Sequence, residues 1–383
     1  MARLVTAWAL IADALPIYPL YALLFVSHGV SRGGISILFA IWSAVSILVE
    51  VPTGALADRY SRRNCLVASG VLQAAGYACW LELADFTGYA VGFALWGLGG
   101  SLASGALQAL LYDNLAAVGA EDHYARIFGR VTAAGLLGQI PAAVAATVLF
   151  AIGSYQLVIV VTVGLCLVAA AVATQLPEAR GGGVPAGDAV EPGFLTSLRD
   201  GLAVVRVRPG VRAAVAAVAV LTGIDALEEY FPLLAHDWGV RVDLTPLAMV
   251  GIPLVGAAGA AMAGASARLS RPLMVAAVLG IAGLLLGVAG LLRQPVGLVA
   301  VAAFYGLYRL SLVVVDARLQ RDVDSSSRAT VSSIAGLGAE VAVFGVYAAW
   351  ALGGVLLIAV LIVVVSFAMP WLLGISPRKS DTG

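Results

Sequence analysis

Residues 351–374 read ALGGVLLIAVLIVVVSFAMPWLLG, a stretch without a single ionisable side chain. A bilayer core is crossed by about 20 apolar residues in a helix, so this stretch is long enough to span. It is the last of twelve such runs; the others lie near 4–26, 33–52, 65–83, 87–110, 128–150, 154–176, 211–234, 245–267, 272–292, 296–317 and 330–349. In hydrocarbon a backbone must satisfy its own polar groups, which dictates helices for runs of this length. The alternating segments of about 10 residues that build a membrane β-barrel do not occur. The expected fold class is an all-α polytopic membrane protein with twelve transmembrane helices.

Composition agrees. Of 383 residues only 11% are charged, against about 25% in soluble domains, so water is not the main solvent. Basic and acidic residues balance at 22 each, which leaves no basic field for nucleic acid. Cys65, Cys79 and Cys166 lack metal or redox spacing. His28, His123 and His236 fall in loops without a H-x-x-x-H pair. Neither a G-x-S-x-G elbow nor a nucleotide-binding G-x-x-x-x-G-K-[ST] loop is present. An enzyme, a resident cofactor and an ATP-driven pump are therefore not expected. The first apolar run, from Leu4 to Val26, carries no signal-peptide cleavage pattern.

Basic residues set the expected orientation. Alternate loops hold 18 Arg and Lys on one side (Arg3, Arg59, Arg62, Arg63, Arg126, Arg130 and on to Lys379) and 3 on the other, namely Arg32, Arg241 and Arg293. Both termini are thus expected in the cytoplasm, with an even number of spans. The longest loop contains Gly181-Gly182-Gly183 and Pro185, a flexible-linker composition. Phe194 to Val207 in the same loop has the pattern of a short amphipathic helix lying on the membrane face. The expected divisions are a six-helix bundle over 1–176, a cytoplasmic linker over 177–210, a second six-helix bundle over 211–374 and a tail over 375–383. Asp13-Ala14-Leu15-Pro16-Ile17-Tyr18 in the first half echoes Asp225-Ala226-Leu227-Glu228-Glu229-Tyr230 in the second. Such an echo is the mark of parallel repeats.

After the second run the chain reads Gly54-Ala55-Leu56-Ala57-Asp58-Arg59-Tyr60-Ser61-Arg62-Arg63. This closely resembles the G-x-L-x-D-R-x-G-R-R loop signature of the major facilitator superfamily, with Ser61 in place of the usual Gly. The stretch Gly264 to Arg271 looks like a worn second copy without the Asp. The resemblance implies two six-helix pseudo-repeats, a multi-pass protein of a bacterial cytoplasmic membrane, and a carrier working as a monomer. It also implies that Gly54, Asp58, Arg59, Arg62 and Arg63 latch the two halves in one conformation. Asp113, at the end of the fourth run, is the expected partner of the arginines. The span-4 and span-5 signatures of drug–proton antiporters are poorly matched, since the stretch from Ser101 to Gln108 holds no Arg.

Ionisable residues within spans are costly and are functional candidates by default. Here they are Asp13, Asp225, Glu228, Glu229, Arg309, Asp316 and Glu340, on runs that line the central cavity in the resembled family, with Asp316 close to the interface and expected to pair with Arg318 or Arg321. Asp225, Glu228, Glu229 and Pro232 are spaced for one face of an α-helix. Three carboxylates so close repel one another, and at least one is expected to hold a proton near neutral pH. Counting about 1.5 Å per residue from the span ends makes Glu340 or Asp13 the expected partner of Arg309. Tyr18, Tyr21, Trp42, Trp96, Tyr112, Tyr230, Phe231, Tyr305 and Tyr308 offer an amphipathic lining, and Tyr230 and Tyr305 each adjoin a buried charge. The expected function is a proton-coupled carrier of a small organic molecule, with export by antiport slightly favoured over uptake by symport. A sensor or assembly partner on the same fold is the remaining alternative.

Overall fold

The computed structural model describes residues 1–59, 61–179, 209–264, 271–323 and 328–374, with backbone alone for 51, 54–59, 322 and 328–330. The linker glycines, the amphipathic stretch from Phe194 to Val207, most of the worn motif copy and the tail lie outside these residues. Among the described residues there is no strand. The first half contains α1 (Ala2–Asp13), α2 (Tyr21–Ser27), α3 (Arg32–Arg59), α4 (Arg62–Glu82), α5 (Phe86–Ala116) and α6 (Tyr124–Thr174). The second contains α7 (Pro209–Ile224), a 3-10 turn (Asp225–Tyr230), α8 (Phe231–Asp237), α9 (Thr245–Ala261), α10 (Pro272–Leu292), α11 (Gly297–Asp322) and α12 (Arg328–Gly374).

Among the described residues, eight helical stretches are long and apolar enough to cross a membrane. Two of them, Glu121–Thr174 with 54 residues and Val331–Gly374 with 44, would extend about 80 and 65 Å if straight. Each is at least twice a bilayer core, and each is folded at a kink. In α6 the kink is at Gly153 and Ser154, and in α12 at Gly354. The first apolar run is split into α1 and α2 because Pro16 follows closely on the helix end. With α6 and α12 divided at their kinks, each of the twelve apolar runs carries helix among the described residues, the first interrupted over 14–20.

The chain sorts into two compact units. One is Met1–Gly187 with Arg241–Leu247; the other is Asp188–Val240 with Ala248–Gly383. The short segment Arg241–Leu247 thus joins the first unit, where the 3-10 turn Val242–Leu244 packs on α6. Division by the linker places it in the second half.

The two units repeat one pattern. In the first, α1 packs on α6, α4 on α5, and α4 on α6. In the second, α7 packs on α12, α10 on α11, and α10 on α12. The D-A-L echo marks where the leading helix breaks in each, after Asp13 and before Asp225. Gly29 (φ 80°) and Gly239 (φ 90°) end the short helices α2 and α8 in the left-handed conformation. Ser154 (φ 54°, ψ −158°) and Gly354 (φ 60°, ψ −154°) bend α6 and α12 in the same way. Gly97 of α5 abuts the Trp42 carbonyl and Ser46 of α3, and Gly306 of α11 abuts Val255 of α9. Lipid supplies no hydrophobic drive between helices, so such close glycine crossings set which helices meet.

Candidate functional site

The second unit gathers charge around the break in its leading helix. Pro232 lacks an N–H and its ring opposes the carbonyl of residue 228, so α-helical winding cannot run into it unchanged. The preceding turn, Asp225–Tyr230, winds as 3-10, and the Phe231 N–H bonds the Glu228 carbonyl three residues back. With three residues per turn, side chains at i and i+3 eclipse. Asp225 and Glu228 therefore share a row and Glu229 is rotated off it. This corrects the α-helical expectation of three carboxylates on one face.

From α11, Arg309 and Tyr305 reach this row. Arg309 Nη1 lies 2.9 Å from Asp225 Oδ2, with the two side chains 32% and 31% exposed. The Tyr305 hydroxyl lies 3.0 Å from Asp225 Oδ1 and 2.9 Å from Glu228 Oε2. The Arg309 guanidinium also stands 6.0 Å from the Tyr305 ring centre. Glu228 is exposed and Glu229 is half-buried. Close helix packing makes the arrangement possible. A Cβ on Gly256 would strike the Tyr305 ring, and one on Gly259 would strike the Gly306 carbonyl, so α9 lies directly against α11.

The Arg309 partner departs from expectation: it is Asp225, not Glu340. Residue counting from uncertain span ends ranks depths poorly, and which spans touch is decided by packing, here of α11 on α7. Glu340 sits half-buried on α12. Asp13 belongs to the first unit, where its carboxylate packs so tightly on Gly135 of α6 that a Cβ there would collide with it. Tyr230 is also corrected. It is fully buried and stacks on Trp350, ring centres 4.2 Å apart, with Tyr347 edge-on. It is a core residue. Tyr308 is likewise fully buried, and its hydroxyl donates to the Leu221 carbonyl (2.7 Å) in the last turn of α7. It pins α11 to the helix whose end carries Asp225.

The loop motif forms a polar knot within the first unit. Gly54, Asp58 and Arg59 lie on the last turns of α3, with their side chains outside the described atoms. Arg62 pairs with Asp113 of α5 and donates to the Ala109 carbonyl at 3.1 Å. Ser61 caps α4, accepting from the Asn64 N–H (3.1 Å), and donates to Glu178 (2.7 Å). The Arg63 N–H also donates to Glu178, at 3.3 Å. Asn114 holds the chain after α6 by donating to the Pro177 carbonyl and accepting from the Ala179 N–H. Sequence reasoning missed Glu178 and Asn114. The only available signal was a Pro-Glu pair directly after an apolar run.

Among the described residues, no group of three or more His, Cys, Asp and Glu is placed to hold a metal ion. The unit-two cluster can exchange a proton among its carboxylates, or offer charge and hydrogen bonds to a polar solute.

Comparison with known proteins places this geometry. Residues 4–345 match the sequence model described as Major Facilitator Superfamily. No curated protein sequence matches. Among solved structures, the nucleoside transporter NupG is similar at a TM-score of 0.75 and 13% identity, covering 97% of this chain and 98% of that one. A D-xylose-proton symporter is similar at 0.70 and 15%, covering 96% of each. A bacterial homologue of the human lysosomal transporter Spinster is similar at 0.68 and 16%, covering 98% of this chain and 90% of that one. Family model and fold agree over nearly the whole chain: it belongs to the Major Facilitator Superfamily and is a multi-pass membrane transporter, not an enzyme.

Proposed function

We propose that the protein is a proton-coupled carrier of a small polar organic molecule, and that Glu228 carries the coupled proton. One observation carries this reading: a single tyrosine hydroxyl faces two carboxylates. A phenol has one hydrogen to donate and lone pairs to accept with. Arg309 pairs with Asp225. Both contacts to Tyr305 are then satisfied when Glu228 is protonated, its O–H donating to Tyr305 and Tyr305 donating to Asp225. With Glu228 ionised, one carboxylate oxygen meets only a lone pair, an unsatisfied contact worth about 1–3 kcal/mol. The exposed Glu228 exchanges its proton with water, or releases it when a solute donor takes the place of that hydrogen bond. Competition of this kind is the logic of antiport, so export in exchange for protons is the direction we assign.

In this reading Asp13 and Glu340 supply further charge, and Glu229 tunes Glu228 from beside the row. The chain lies as a monomer in the cytoplasmic membrane of a bacterium, with both termini in the cytoplasm. Gly54, Asp58, Arg59, Arg62, Arg63 and Asp113 form the conformational latch.

The test uses proteoliposomes with an imposed pH gradient and a panel of solutes. Wild type accumulates a solute against its gradient. Glu228→Gln exchanges the same solute at equal concentration but no longer responds to the pH gradient. Gradient-driven accumulation that survives in Glu228→Gln would refute the assignment. Accumulation in the direction of proton entry would replace antiport with symport.

A further inference from the structure

We infer that the break between α1 and α2 is a binding site for a monovalent alkali-metal cation, held by the Asp13 carboxylate and the carbonyl oxygens at the end of α1. The inference goes beyond the coupling assignment and does not depend on Glu228.

Pro16 makes the oxygens available. A helix leaves its last carbonyls without donors from its own backbone. In α-helical winding residue 16 would donate to the Ala12 carbonyl, and in 3-10 winding to the Asp13 carbonyl. Proline has no N–H, so Pro16 serves neither. The Ala14 N–H bonds the Leu10 carbonyl at 3.1 Å, and the next bond, from Tyr18 to Leu15 at 3.2 Å, lies beyond the break. Among the described residues no backbone N–H reaches the carbonyls of Ile11, Ala12 or Asp13, and no side-chain donor reaches them or the Asp13 carboxylate. The second unit takes the other course. Its echo has Glu228, with an N–H, where the first has Pro16. There the chain keeps winding as a 3-10 turn over Asp225–Tyr230.

Asp13 supplies the charge. It lies within the first apolar run, where an uncompensated ion is costly. Its echo, Asp225, has the Arg309 guanidinium 2.9 Å away as a resident cation. Asp13 has no Arg, Lys or His partner among the described residues. Gly135 of α6 leaves room for the carboxylate, and Gly138, one turn on, lies against the Leu10 carbonyl and Ala14. Glycine therefore walls the α6 side of the break, while Asp13 and Ala14 are only half-buried and leave it accessible. The Asp13 carbonyl and carboxylate belong to one residue, so a single ion can touch both. Carbonyls at a helix C-terminus add partial negative charge directed out of its end. Oxygen ligands suit a hard cation. One full negative charge among neutral carbonyls matches a monovalent ion and leaves a divalent one uncompensated. Carbonyls freed where a transmembrane helix breaks coordinate small cations in this manner.

The experiment uses the full-length protein in lipid nanodiscs, in N-methylglucamine buffer free of alkali ions, with radiolabelled Na+ as the probe and empty nanodiscs as reference. Wild type should bind Na+ saturably, and neither choline nor Mg2+ should displace it. Asp13→Asn should weaken binding by about tenfold or more, the loss of a charged contact. Pro16→Ala keeps the carboxylate but returns an N–H to the break, and should weaken binding by about threefold or more through the carbonyl it occupies. A carboxylate acting alone would not register that second change. Na+ should also raise the unfolding midpoint of wild type and leave that of Asp13→Asn unmoved. If Asp13→Asn yields no folded protein, Pro16→Ala decides. Lack of saturable Na+ binding in wild type, unchanged binding in either variant, or displacement by choline or Mg2+ overturns the inference. Glu228→Gln should keep Na+ binding, which separates this site from the coupling assignment. Proton-driven flux without Na+ binding removes this inference alone, and Na+ binding without proton-driven flux removes the coupling assignment alone.

Discussion

Replacing Ser154 by glycine should stabilise the protein. Ser154 has φ 54° and ψ −158°, a region that L-residues occupy at a cost of about 1–3 kcal/mol and that is close to glycine-only. The equivalent bend in α12 is made by Gly354 at φ 60° and ψ −154°, so the second repeat makes the same turn without the strain. Ser154 is exposed and its hydroxyl makes no hydrogen bond among the described residues, so truncation forfeits no contact. Glycine returns about 0.4–1 kcal/mol through the freer unfolded chain, which leaves a net gain of about 0.5–2 kcal/mol. For a unit of this size that corresponds to a rise of about 1–8 °C in unfolding midpoint. The assay is thermal unfolding of the purified protein in detergent, monitored by cysteine accessibility. Gly354→Ser should lower the midpoint by a similar amount. Gly164→Ala, a mid-helix change with open space around it, controls for glycine content and should raise the midpoint modestly. A lower midpoint for Ser154→Gly, together with no loss for Gly354→Ser, would refute the shared-bend argument.

Other outcomes follow from the same geometry. Asp225→Asn should destabilise by about 1–2 kcal/mol, less than a fully buried pair because both partners are one-third exposed; Asp225→Asn with Arg309→Gln should recover part of that loss in the same unfolding assay. Tyr305→Phe removes the hydroxyl shared by the two carboxylates, so pH-gradient-driven accumulation should fall at least tenfold while the fold, judged by unfolding midpoint, is retained. Gly259→Leu places side-chain atoms into the Gly306 carbonyl and should abolish a stable product on size-exclusion chromatography, whereas Gly251→Ala, facing open space, should not. Arg62→Ala strips Asp113 of its ion-pair partner and the Ala109 carbonyl of a donor; it should slow transport several-fold with solute affinity unchanged, measured as initial rate against concentration.

Much of this was legible in the chain itself. Apolar run lengths gave the helices, because a bilayer demands about 20 residues and an internally bonded backbone regardless of tertiary detail. The D-A-L echo marked both helix breaks, and the stretch from Gly54 to Arg63 named the family. The candidate site was legible as a list of costly intramembrane charges, since their expense does not depend on their neighbours. The pairings were not legible. Asp225 rather than Glu340 meets Arg309 because α11 is pinned to α7 by a tyrosine-to-carbonyl bond and held against α9 at glycine crossings, which are contacts between residues far apart in sequence. Glu229 leaves the carboxylate row because Pro232 forces a three-residue turn, and Tyr230 goes to the core because Trp350 waits there. Periodicity reports what one helix presents. Only packing decides which presented groups come within about 3 Å of one another, because hydrogen bonds and ion pairs depend on ångström distances that no spacing rule along a single chain contains.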